Sequence, residues 1–167
     1  KGAKTLVIGV ANAGGHLPSE WTDTIVAAID LGLDVASGMH SRLDNIPEIK
    51  SAAERAGRRL IDVRVPSSSL PVGNGKPRAG RRMLTVGTDC SVGKMYATLA
   101  IEAEMKRRNI SARFCATGQT GIFIAGSGVP VDAVAADFIS GSVEQLTPAC
   151  DPDHWDLIEG QGSLYHP

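Results

Sequence analysis

Residues 84–94 read LTVGTDCSVGK, from Leu84 to Lys94, and this stretch decides the fold. A short apolar run (Met83, Leu84, Val86) ends at Gly87, a polar loop follows, and Gly93-Lys94 opens a long helical pattern. Strand, glycine-bounded loop, lysine and helix make a phosphate cradle. Backbone N–H groups of the loop and of the helix N-terminus point at an anion, and the lysine ammonium adds a point charge. The glycines matter because a Cβ holds the backbone away from phosphate oxygens. The residues expected to bind are Gly87, Thr88, Asp89, Cys90, Ser91, Val92, Gly93, Lys94 and Met95. Two departures stand out. The usual pattern has four residues between its first glycine and Gly-Lys, whereas Gly87 lies one place earlier, with five between. Met95 stands where a serine or threonine normally ligates Mg²⁺, and a thioether does not do so.

Outward from this loop the chain alternates short apolar runs with helical patterns. Thr5 to Val10 (TLVIGV) suits a buried parallel strand and empties into the small-residue loop Ala11 to His16. Ser19 is placed to cap a helix carrying Trp21, Ile25, Ala28 and Ile29 on one face, with Gly32 as its stop. Leu33 to Ser37 is a second strand, Pro47 to Ala56 a second helix ending at Gly57, and Leu60 to Val65 a third strand. Parallel strands joined by helices imply a doubly wound sheet. Pro66 to Gly80 is rich in Pro, Gly and Ser and reads as a linker. Beyond it, Val92, Tyr96, Leu99, Ala100 and Ala103 are expected to form the sheet-facing side of the helix after Lys94. Ala112 to Ala116 is a strand and Val131 to Leu146 a helix, while Ile122 to Gly128 carries no assignable pattern. Trp155 to Glu159 is the last strand. The fold class is α/β, a parallel β-α-β half at residues 1–65, a linker at 66–80 and a phosphate-loop parallel α/β half at 81–167.

Composition bounds the function. A formal charge of −1 gives no basic excess for nucleic acid, and no apolar run is long enough to span a membrane. Cys90, Cys115 and Cys150 are an odd number without metal spacing, which fits a reducing cytoplasm; no metal ligand set is expected. A small-molecule substrate and a homo-oligomer are the expected partners.

Ligands in open α/β sheets bind beyond the carboxyl ends of the strands. Three such ends lie in the second half, at Gly87–Lys94, Thr117–Gly121 and Glu159–Ser163. Polar residues expected to converge there are Asp89, Ser91, Lys94, Thr98, Gln119, Thr120, Glu159 and Gln161. Glu159 suits a metal-binding or water-positioning acid, or a carboxylate satisfied by neighbouring backbone N–H groups. Asp132 and Asp137 are second carboxylates. Cys90 sits inside the cradle as a nucleophile or a plain loop residue. His16 and His40 follow first-half strands and are general acid–base candidates that share one crevice.

The loop Gly87 to Lys94 resembles the phosphate loop of dethiobiotin synthetases, in which a strand-end glutamate before glycine matches Glu159-Gly160. A second resemblance spans nearly the whole chain. GVANAGGHLP, SGMHSRL, GTDCSVGKM, GQTGIFIAGSG, VDAVAADFISG and DLIEGQGSLYHP are together similar to a bacterial and archaeal family catalogued as a domain of unknown function. That family pairs a Rossmann-like N-terminal domain with a P-loop NTPase-like C-terminal domain, and some members are assigned D-glutamate N-acetyltransferase activity with acetyl-CoA. Its chains are longer than this one, so the resemblance implies a piece of a longer protein. It also implies an N-acyltransferase moving an acetyl group from acetyl-CoA to a D-amino acid such as D-glutamate, with CoA phosphates on the loop around Lys94. Catalytic candidates are then His16, His40, Asp89 and Glu159, with Arg42 and Arg78 to receive the substrate carboxylates. The alternatives are an ATP- and Mg²⁺-dependent ligase or kinase activating a carboxylate, or a nucleotide-binding module without turnover.

Overall fold

β-branched and small residues dominate the short apolar runs, and in the computed structural model, which describes residues 2–10, 13–66 and 69–165, each forms a parallel strand. The chain divides into two units, residues 1–65 and 66–167.

In the first unit β1 (Thr5–Ile8), α1 (Thr22–Asp30), β2 (Asp34–Ser37), α2 (Pro47–Ala56) and β3 (Leu60–Asp62) alternate. The three strands form one parallel sheet in the order β1-β2-β3, with Val35 opposite both Leu6 and Leu60. Central β2 is buried throughout, whereas β1 lies at the edge and buries only Ile8, with Val7 exposed. The reading of Thr5–Val10 as a wholly buried strand is therefore corrected. Ile25, Ile29, Val35, Leu43 and Ile49 form a contiguous apolar core. Pro47 starts α2 and Gly57, at φ 62°, ends it. Ser19 does not cap α1; it opens a 3₁₀ turn, Ser19–Trp21, that feeds the helix at Thr22.

The second unit holds β4 (Arg81–Leu84), α3 (Lys94–Arg107), β5 (Ala112–Cys115), α4 (Gln119–Ala125), α5 (Ala136–Leu146) and β6 (Trp155–Ile158). Its sheet is parallel with order β4-β6-β5, so β6 sits between the other two. Each half thus holds its own three-stranded parallel sheet, as the reading of two parallel α/β halves expects. The unassigned stretch at Ile122 is α4, and a 3₁₀ turn at Val131–Ala133 separates it from α5. Within the stretch 66–80 read as a linker, residues 71–80 are mostly exposed and are fastened to α5. Glu144 of α5 accepts the N–H groups of Asn74 and Gly75, and Gly141 is buried beneath the Pro71 carbonyl.

The expected inner face of α3 is also corrected. Tyr96 is 76% exposed and Ala100 and Ala103 face solvent, while Thr98 is fully buried and Leu99, Glu102 and Met105 are half-buried. The phosphate loop sets where the helix starts, and that rotation puts a threonine rather than the apolar stripe against the sheet. Among the described residues, no helix is long and apolar enough to cross a membrane.

Candidate phosphate site at the strand ends of the second unit

The interior of the second unit is unusually polar. Thr98, Thr117, Ser142, Thr147, Asp156 and Glu159 are all buried, and buried polar groups persist when hydrogen bonds satisfy them. Two of the networks, Thr98 with Thr85 and Thr117 with Glu159, lie at the carboxyl edge of the sheet, where the loops after β4, β5 and β6 lie.

The loop after β4 runs from Thr85 to Gly93, with Ser91 at φ 55° and Gly93 at φ 94° turning it into α3. No side chain caps α3 and its first turn carries no acidic residue, so the N–H groups that a helix start leaves unpaired face no fixed anion. Lys94 Nζ donates to the Asp89 carbonyl at 2.8 Å. The lysine stem passes between two glycines: a Cβ on Gly87 or on Gly160 would stand 3.3 Å from Lys94 Cδ. Gly87 also admits the Val92 side chain, since a Cβ there would lie 2.7 Å from Val92 Cγ2. The loop glycines thus make room for side chains inside the protein.

Residues after β6 close over the same loop. Leu164 N–H donates to the Gly87 carbonyl at 3.0 Å, and Ser163 Oγ donates to the Thr88 carbonyl at 3.1 Å. Gln161 lies over Gly118, where a Cβ would be 2.5 Å from its Nε2. The three strand ends read from the sequence are therefore brought together.

Glu159 is 5% exposed. Its Oε2 accepts the N–H groups of Thr117 at 2.9 Å and Gly118 at 3.0 Å, while its carbonyl accepts Thr117 Oγ1 at 2.6 Å. This is the satisfied-carboxylate geometry: Glu159 ties the end of β6 to the loop entering α4. Asp89 and Cys90 are exposed on the phosphate loop, and Asp89 Oδ1 accepts the Cys90 N–H at 2.6 Å. Asp132 and Asp137 are exposed away from β6, and no group of three or more His, Cys, Asp or Glu among the described residues is arranged to hold a metal ion.

In the first unit both histidines lie against the Gly14-Gly15 turn, where a Cβ on Gly14 would stand 3.2 Å from His16 Cδ2 and one on Gly15 would overlap the His40 ring. His16 Nδ1 meets Ser41 Oγ at 3.3 Å. Arg64 donates to the His40 ring at Nε2. The two cations proposed for substrate carboxylates are committed elsewhere. Arg42 is paired with Asp44 at 2.7 Å, and Arg78 Nη1 donates to the Glu144 carbonyl at 3.0 Å and to Thr147 Oγ1 at 3.1 Å. Arg81 pairs with Asp153 and Arg82 with carbonyls including that of Pro148; both lie on β4 itself, and Arg81 opens the strand at the end opposite the phosphate loop.

Sequence reasoning missed Thr85 and Thr117. A threonine one residue beyond a strand, just before the loop glycine, was the available signal for the first.

Residues 71–167 match a family described as the "Domain of unknown function (DUF1611_C) P-loop domain", and residues 1–66 match its "Rossmann-like domain", DUF1611_N. The chain is 60% identical over 165 residues to a protein of Tritonibacter scottomollicae named D-glutamate N-acetyltransferase, covering 99% of this chain and 50% of that protein. It is 52% identical over 166 residues to one of the same name from a Pseudoalteromonas species, again covering 50% of it. A crystal structure of a DUF1611 family protein from Anabaena variabilis superposes with a TM-score of 0.88 at 39% identity, covering 98% of this chain and 48% of that one. The chain thus spans about half the length of the relatives it matches.

Proposed function

Since the chain belongs to the DUF1611 family, matching both its Rossmann-like and its P-loop domain, we propose that the protein carrying it is an N-acetyltransferase that moves an acetyl group from acetyl-CoA to the amine of D-glutamate or a similar D-amino acid. The observation that carries this reading is the 60% identity, across 99% of the chain, to a protein named D-glutamate N-acetyltransferase. The ligase, kinase and binding-module readings rest on the loop alone and are not favoured.

The site fits the cofactor. Acetyl-CoA supplies an activated acyl thioester, and its phosphates need a cradle without a hydrolysable γ-phosphate. Lys94 and the uncapped start of α3 offer positive charge. Met95 supplies a thioether where Mg²⁺ would need a hydroxyl, and the nearest aliphatic hydroxyl along the helix, that of Thr98, donates to the Lys94 carbonyl. Phosphate binding on this loop is therefore proposed to rest on N–H groups and Lys94. A base must hold the proton lost by the acceptor amine. His16, His40 and Asp89 are the proposed candidates, since Glu159 already accepts two backbone N–H groups.

The full-length protein is assayed for acetyl transfer from acetyl-CoA to D- and L-glutamate, and titrated with CoA and with ATP, each with and without Mg²⁺. Transfer to the D-isomer with Mg²⁺-independent CoA binding is expected. Tight Mg²⁺-dependent ATP binding with no CoA effect and no transfer sinks the reading.

A further inference from the structure

We infer that Thr98 is a positioning residue for Lys94, acting through a hydroxyl relay with the half-buried Thr85. The inference rests on the reading of Lys94 as the phosphate-binding cation. Thr98 is fully buried on α3, and its Oγ1 donates to the Lys94 carbonyl at 2.7 Å. A hydroxyl has one proton. In the 2.9 Å contact between the two threonines the donor is therefore Thr85 Oγ1. Thr85 Oγ1 in turn accepts the Gly160 N–H at 3.1 Å. Its other possible acceptor, the Ile158 carbonyl, is farther away at 3.4 Å. The order of donation runs from Gly160 through Thr85 and Thr98 to Lys94.

Both ends of this relay bear on the same lysine. One end is the carbonyl of Lys94 itself. The other is Gly160, one of the two glycines between which the Lys94 stem passes, with room for it because a Cβ there would lie 3.3 Å from Lys94 Cδ and would overlap the Thr85 carbonyl. A threonine bonding back one turn usually serves its own helix alone. Here the hydroxyl continues across β4 to the end of β6, so the helix start, the loop-bearing strand and the wall beside the ammonium stem are held in one register. An ammonium acts on phosphate as a point charge, and its worth depends on where the stem delivers it.

A double-mutant cycle on the full-length protein tests this, read as the dissociation constant of CoA up to millimolar concentration. Thr98→Val is expected to weaken CoA on the order of tenfold, the worth of one lost hydrogen bond, and Thr98→Ser to stay within about twofold of wild type because it keeps the donor. In a Lys94→Ala background, Thr98→Val is expected to change affinity by less than about twofold, because the residue it acts through is gone. Equal losses in both backgrounds, or a serine variant as weak as the valine one, overturn the inference. Should Thr98→Val not fold, Thr85→Val enters the same cycle, since it breaks the same relay one step earlier, at the proton Thr85 gives to Thr98. A wild type that binds CoA but transfers no acetyl group defeats the proposed activity and leaves the cycle readable. One that binds neither CoA nor ATP defeats both.

Discussion

The carboxylate of Glu159 occupies the place that a side chain on Gly121 would need: a Cβ there would overlap Oε2 and lie 3.0 Å from Cδ. The first turn of α4 is thus shaped to a residue on another element. Gly121→Ala pushes the carboxylate off the Thr117 and Gly118 N–H groups, at an expected cost of about 3 kcal/mol for two charged hydrogen bonds in a buried setting. Glu159→Gln keeps an acceptor oxygen and is expected to lose far less. Chemical denaturation of both variants checks the order; a glutamine variant as unstable as the alanine variant contradicts it.

Lys94→Arg is expected not to restore what Lys94→Ala loses. The stem runs between Gly87 and Gly160, where even an added Cβ would stand 3.3 Å from its Cδ, and a planar guanidinium is wider than an ammonium. Calorimetric titration with CoA should show both variants at least tenfold weaker than wild type, the value of about 1.4 kcal/mol. Wild-type affinity in the arginine variant would refute the fit.

The cysteines separate by environment. Cys90 is exposed on the phosphate loop, whereas burial pushes the Cys115 thiol up to about 11, with the Asp156 carboxylate adding to the rise. At neutral pH a thiol reagent should label Cys90 quickly and Cys115 only after unfolding. CoA should slow the labelling of Cys90. Mass spectrometry of peptides from the labelled native protein reads the result, and equal labelling of Cys90 and Cys115 contradicts it.

Asp62 gives a pH-dependent effect. Burial raises its carboxyl above the ordinary 3.8, the Leu43 N–H opposing and Asp44 adding. The folded state therefore holds this proton more tightly than the unfolded chain does. The stability it contributes is present below 3.8 and lost as pH rises through the raised value. Asp62→Asn, which retains an oxygen for Leu43, is expected to melt higher than wild type at pH 7 and level with it near pH 3. A difference of the opposite sign at pH 7 contradicts the assignment.

Much of the architecture was legible because it follows from local chemistry. Pro47 and Gly57 bound a helix through backbone conformation alone, and a Gly-rich loop before Gly93-Lys94 announces a strand-to-helix turn. What stayed hidden depends on partners distant in sequence. Arg78 looks like an open cation until the Glu144 carbonyl and the Thr147 hydroxyl, 66 and 69 residues away, are seen beside it. The stripe of Tyr96, Ala100 and Ala103 reads as a core face, yet the rotation of α3 is set by the loop and by Thr98 meeting Thr85. Glu159 was legible as a strand-end acid, but its use as a tie depends on N–H groups 41 and 42 residues away.

Because Lys94 Nζ already rests on the Asp89 carbonyl, the phosphate loop carries its own competitor. On the proposed reading of Lys94 as the phosphate-binding cation, an arriving anion would not fill a vacancy; it would exchange with a backbone oxygen, and measured affinity would be the difference between the two bonds. Substitutions that loosen the turn at Asp89 therefore act on ligand binding by weakening the resting state, so a change that leaves every ligand contact intact can still tighten the site.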